Sequence, residues 1–152
     1  ALDEAFLAGL VHDVGILVEL QHDRVAFTNA IEEGVETGDL ESSEINHLGD
    51  THERFGSVLC EHWKFPESLV GVVGHHHDPL RLPESTRELP CIIHVADHVA
   101  GQVAGGFTLD LRPDGPDPMV LDALQLGDSA LREIRLAVLE AVGNGDEMMA
   151  AA

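Results

Sequence analysis

Apolar residues recur along this 152-residue chain at the three- and four-residue spacing of an α-helix, and the strict alternation of a half-buried strand does not occur. The pattern predicts a first helix over 2–12 and a second apolar stretch over 14–20 that continues after a break at Gly15. Helices over 24–35 and 41–47 follow, closing in the Gly34 to Gly38 region and at Gly49. Asp50 or Thr51 caps the next helix, which runs to Trp63 and stops before Pro66. Another covers 68–77 and ends at Asp78-Pro79, and after a proline-rich loop a longer one spans 87–103. Glycines at 101, 105 and 106 and the run from Arg112 to Pro118 mark an irregular connection. Helices over 120–126 and 129–142 close the chain, with a tail from 143 expected to fray. The fold class is all-α, one helical bundle of a single domain.

Four of these helices direct polar residues where the pattern calls for carbon. In the first, Leu2, Phe6, Gly9 and Leu10 form the stripe expected to face the core, and Asp13 falls on it beside His12. A buried carboxylate without a partner costs several kcal/mol, so a positive or proton-donating group should meet it. After Thr51 the stripe is Phe55, Gly56, Leu59 and Trp63, and His52 shares its face. In the next helix Leu69, Val70, Val72 and Val73 put His76 and His77 inward, about 100° apart and so suited to two neighbouring cations. The stripe Leu89, Ile93, Ala96, Ala100 and Val103 carries Asp97 with it, one turn after His94, which is placed to orient a ligand. Taken singly, an inward histidine is usually a hydrogen-bonded core residue, an aspartate at a helix end caps or meets an arginine, and His75-His76-His77 is a surface run. Taken jointly, His12, Asp13, His52, His76, His77 and Asp97 describe a metal site. Imidazole and carboxylate suit Fe, Mn, Zn or Ni, and a carboxylate can bridge two ions. His22, His47, His62, His94 and His98 are left at the surface or behind the ligands.

The charge narrows the partners. Twenty-eight acidic residues face eight basic ones, Lys64 being the only lysine, for a formal net charge of −20. Such a surface repels nucleic acid and anionic membranes, both of which need Lys or Arg against their phosphates. No apolar run approaches the ~20 residues that span a bilayer. Cys60 and Cys91 lie in different helices and match no zinc spacing or disulfide framework, which fits a reducing, cytoplasmic compartment. The chain starts without Met and runs straight into a helix, so it reads as part of a longer protein.

These residues resemble a known family. Phe6-Leu-Ala-Gly-Leu-Val-His12-Asp13-Val-Gly15 is similar to the signature of the HD superfamily of metal-dependent phosphohydrolases. His52-Glu-Arg-Phe-Gly56, Trp63-Lys-Phe-Pro66, His76-His77-Asp-Pro79, Val95-Ala-Asp97 and Leu126-Gly127-Asp128 follow in an order that resembles the HDOD branch, found in bacterial signalling and regulatory proteins. The resemblance implies an HD-domain-like helical bundle with a divalent-metal pocket, mononuclear or dinuclear. Its HD pair would be His12 and Asp13, with Asp13 bridging; its later histidines would be His52, His76 and His77, and its last aspartate Asp97. It also implies other signalling proteins as partners.

Three departures bear on activity. The superfamily's first histidine, expected on a helix upstream of the HD pair, has no counterpart in a sequence that starts at Ala1, which is expected to lack its N-terminal helices or to be part of a longer protein. Ile16 stands where the related HD-GYP phosphodiesterases carry Lys, and their Gly-Tyr-Pro element has no equivalent in a chain without tyrosine. The sequence therefore favours a regulatory HDOD domain with little or no catalysis. The competing reading is a metal-dependent phosphohydrolase acting on a nucleotide, a cyclic dinucleotide or another phosphorylated small molecule.

Overall fold

The computed structural model describes residues 2–104, 107–111 and 113–150; the side chains of 104 and 144–150 lie outside that description. Helices α1 (Leu2–Val11), α2 (Val14–His22), α3 (Arg24–Thr37), α4 (Leu40–Leu48), α5 (His52–His62) and α6 (Glu67–His75) form the first part. A 3₁₀ turn, Pro79–Arg81, leads to α7 (Glu88–Ala104), and α8 (Pro118–Ala123) and α9 (Asp128–Ala150) complete the chain. Among the described residues there is no strand, so the all-α expectation holds.

Local chemistry explains most of the boundaries. Asp23, Asp39, Thr51 and Asp117 each accept a backbone N–H at the start of α3, α4, α5 and α8. Gly38 and Gly49 end α3 and α4 with positive φ, a conformation a Cβ would strain. The break after α1 falls at His12-Asp13, not at Gly15, which lies inside α2. A Cβ on Gly15 would overlap the His52 carbonyl oxygen, so the glycine serves the close approach of α2 to α5. The helix expected to fray from 143 continues as α9 to Ala150, and residues 151–152 lie outside the described residues.

Two apolar clusters hold the bundle. One gathers Cys91, Val95, Val99, Val120 and Leu131 between α7, α8 and α9; the other joins Ala8 of α1, Leu69 and Val72 of α6 and Ile93 of α7. Three expected stripes are displaced. Leu2, Phe6 and Leu10 are 88%, 75% and 70% exposed, and α1 turns the small Ala8 inward instead. Trp63 is exposed, and α5 buries His52, Gly56, Ser57 and Cys60. In α7, Ala96 and Ala100 face out while Cys91, Ile93, Val95 and Val99 form the core face. Both cysteines are buried and free. Among the described residues no helix is long and apolar enough to cross a membrane.

Candidate metal centre

Asp13 reaches the interior because the chain turns there, not because of the α1 stripe. It holds the N-cap position of α2, yet its side chain caps nothing. Its two oxygens point to different neighbours instead. Oδ2 lies 3.3 Å from His12 Nε2, and Oδ1 lies 3.3 Å from His76 Nε2. His12 Nε2 is also 3.5 Å from Asp97 Oδ1. On the other side, His52 Nε2 and His77 Nε2 stand 3.0 Å apart, and His77 Nε2 is 3.4 Å from Asp110 Oδ2. Ligand atoms of Asp13, His52, His76, His77 and Asp110 all lie within 4.8 Å of one another.

All six residues picked out by sequence thus meet, around the two faces of one carboxylate. His12 and Asp97 border one face; His52, His76 and His77 crowd the other. His76 and His77 are not split between two centres by helical rotation. His76 is the C-cap of α6 and His77 lies beyond it, so the turn past the helix brings their rings within 4.0 Å, centroid to centroid.

Three of the imidazoles are held alike from behind. Nδ1–H of His12 donates to the Gly9 carbonyl at 2.8 Å, that of His52 to Glu44 at 2.8 Å, and that of His76 to the Val72 carbonyl at 3.3 Å. Those bonds hold each ring through Nδ1 and leave Nε2 directed at the centre, as second-layer partners do for ligating histidines. The Glu44 carboxylate also accepts the His52 backbone N–H at 3.1 Å. Glu53 accepts the His77 backbone N–H at 3.0 Å and lies 3.5 Å from His76 Nδ1. His94, one turn before Asp97 as noted, is buried rather than superficial. Its Nδ1–H donates to the His76 carbonyl at 2.8 Å, and its Nε2 accepts the Asp117 backbone N–H at 3.1 Å. Burial holds His94 down to about 4, which suits this neutral role. His98, also buried, is hydrogen-bonded through Nδ1 to the His94 carbonyl.

The electrostatics call for positive charge. Among the described residues, no Lys or Arg forms an ion pair with the central carboxylates; each such contact is to a histidine. Burial opposes charge on His12, but Asp13 and Asp97 outweigh it and raise the imidazole to about 10. Burial likewise opposes charge on His52, and Glu44 overcomes it, raising the ring to about 9. His77 is raised against burial by Asp110 and Glu53, whereas burial wins at His76 and lowers it. Burial would raise Asp13, but His12 and His76 hold it far below the usual carboxylate range. Protons here meet a demand that a divalent cation can also meet.

A metal fits the residues present. His12 Nε2, Asp13 Oδ1, His76 Nε2 and both Asp110 oxygens are buried and make no hydrogen bond with any described residue. Neighbouring donors 3.0–3.5 Å apart match the edges, about 3 Å, of a shell with bonds of about 2.1 Å. A cavity of about 430 Å³ opens beside the His52, His77 and Asp110 side.

Sequence reasoning missed Asp110, Glu44 and Glu53, and it left open whether His94 and His98 lie at the surface or behind the ligands, where the structure buries them. Asp110 sits on the aperiodic connection between α7 and α8, where no pattern marks an inward residue. Glu44 had a signal: it shares the buried face of α4 with Leu40 and Ser43.

The bundle brings His12, Asp13, His52, His76, His77 and Asp97 together in one pocket, and the comparison places the chain in the HD-like superfamily. Within it, the family model described as HDOD domain matches residues 1–79, and the chain belongs to that family. No curated protein and no solved structure matches the chain.

Proposed function

We propose that the chain is a regulatory HDOD domain of bacterial signal transduction, built around an HD-type pocket for one or two divalent transition ions. Its output would be contact with other signalling proteins rather than turnover. The observation that carries the metal reading is the set of buried donors without hydrogen bonds on both faces of Asp13. His12, Asp13 and Asp97 would hold one ion, and Asp13, His52, His76 and His77 the other. Bound there, such an ion supplies Lewis-acid charge. The choice among Fe, Mn, Zn and Ni rests on ligand types common to all four. A reducing, cytoplasmic setting accords with two buried free thiols.

The acidic cavity supports regulation over hydrolysis. Its walls carry Asp39, Glu41, Glu53, Asp78 and Asp117, and its Arg81 is already paired with Asp78 at 2.7 Å. A phosphodiester would enter against that field. Hydrolysis of a nucleotide or cyclic dinucleotide is the second reading, favoured by the presence of all six family positions beside a cavity of adequate size. Protein loaded with Mn²⁺ or Fe²⁺ and incubated with cyclic dinucleotides and nucleotides separates the two. The regulatory reading expects no turnover; robust hydrolysis abolished by Asp13→Ala contradicts it.

A further inference from the structure

The second face of the pocket holds a donor that the six sequence-picked residues do not include. Asp13, His52, His76 and His77 already supply four ligand atoms, and Asp110 brings a fifth within the same 4.8 Å. Asp110 comes from outside the helices, on the 107–111 segment, and beyond the residues matched by the family model. Its side chain is only 4% exposed, and neither carboxylate oxygen accepts a hydrogen bond from a described residue. An ionised carboxylate so placed is costly unless a cation meets it, and among the described residues only the His77 imidazole, 3.4 Å from Oδ2, faces it as an ion-pair partner.

The segment is seated to present that carboxylate. Leu111 N–H donates to the Thr108 carbonyl at 3.2 Å, making the turn at whose bend Asp110 lies. Leu109 packs at Gly34 of α3, and Leu111 and Thr108 pack at Gly101 of α7, where a Cβ would crowd them. Both flanks are thus anchored in small-residue notches on separate helices. His94 fastens the far end of the connection through the Asp117 backbone N–H, while its other nitrogen holds the His76 carbonyl.

We infer that Asp110 is a metal ligand that takes a coordination position water would otherwise fill. Catalytic metal sites retain such an open position, whereas structural sites are closed by protein donors. By this geometry the ion held by Asp13, His52, His76 and His77 gains a fifth protein donor and keeps one position fewer for water. The inference rests on the proposed metal centre and adds to it a ligand that favours a structural over a hydrolytic ion.

Water-proton relaxivity of Mn²⁺-loaded protein reads the number of exchangeable waters on the bound ion, and titration calorimetry reads its affinity. Wild type, Asp110→Ala, Asp110→Asn and, as a control on the cavity wall, Glu41→Ala are compared. Asp110→Ala is expected to gain about one inner-sphere water per ion and to bind Mn²⁺ at least tenfold more weakly. Asp110→Asn should weaken binding in the same direction, and it decides the matter by affinity if the alanine variant does not fold. Glu41→Ala should match wild type. Wild-type affinity and relaxivity in both Asp110 variants overturn the inference and leave the metal centre standing. Wild type that takes up no Mn²⁺, Fe²⁺ or Zn²⁺ removes the centre itself, and the inference with it.

Discussion

At the scale of single residues, the pocket is a problem of charge without arginine or lysine. Glu44 shows how a residue that touches no substrate sets the chemistry. By accepting both N–H groups of His52, it fixes which nitrogen faces inward. Glu44→Ala is therefore expected to weaken Mn²⁺ binding by roughly 10–100-fold in calorimetry, as loss of a ligand's orienting partner commonly does. Glu19 makes the complementary case. It is fully buried in α2, and neither oxygen accepts a hydrogen bond from a described residue. Burial, reinforced by the nearby Glu44 charge, raises its carboxyl from 4.5 to about 8. An acid raised in the folded state stabilises fully below its unfolded value, and that contribution is lost as pH rises toward the folded one. Wild-type stability should thus decline between about pH 4.5 and 8 from this group, then level off. Glu19→Gln should change little near pH 4.5 and raise the melting temperature at pH 8, as differential scanning calorimetry across that range would reveal.

At the scale of elements, α2 and α5 form the frame, and two glycines let them close. Gly15 meets the His52 carbonyl and Gly56, while a Cβ on Gly56 would strike Val73 Cγ1 at 2.6 Å. Gly15→Ala must push α2 away from the first turn of α5, the turn that carries His52. Overpacking of this kind costs about 1–3 kcal/mol or more, so a loss of roughly 5 °C in melting temperature is expected, together with weaker metal binding. Helix existence was legible in the sequence because the 3.6-residue period repeats in almost every segment. Which face each helix buries was less so. Nearly every position of α1 is apolar, and periodicity alone favoured Leu2, Phe6 and Leu10 over the small Ala8 that packs against α6 and α7. The site was legible for a different reason: His12-Asp13 interrupts an apolar run, and His52, His76, His77 and Asp97 each sit beside core residues. Asp110 carried no such mark, since the connection that bears it has no period to violate. The break at His12-Asp13, misplaced to Gly15 in sequence, is the turn that frees the Asp13 carboxylate from capping duty.

At the scale of the whole molecule, a chain of net charge −20 concentrates further carboxylates around a buried set of imidazoles. That arrangement gains from any divalent cation it binds. With metal at about 100 times its dissociation constant, linkage adds about 2.7 kcal/mol. The melting temperature should then rise by roughly 5–10 °C in thermal unfolding and fall back on chelation. Metal content decides the central claim most directly. Protein purified without a nickel column or histidine tag, reconstituted with Mn²⁺, Fe²⁺ or Zn²⁺ and desalted, is measured by elemental analysis beside folded Asp13→Ala. The account predicts one or two ions per chain in wild type and a large loss in the variant. Wild type left with less than ~0.1 ion per chain after reconstitution, or a variant that retains its full complement, would contradict it.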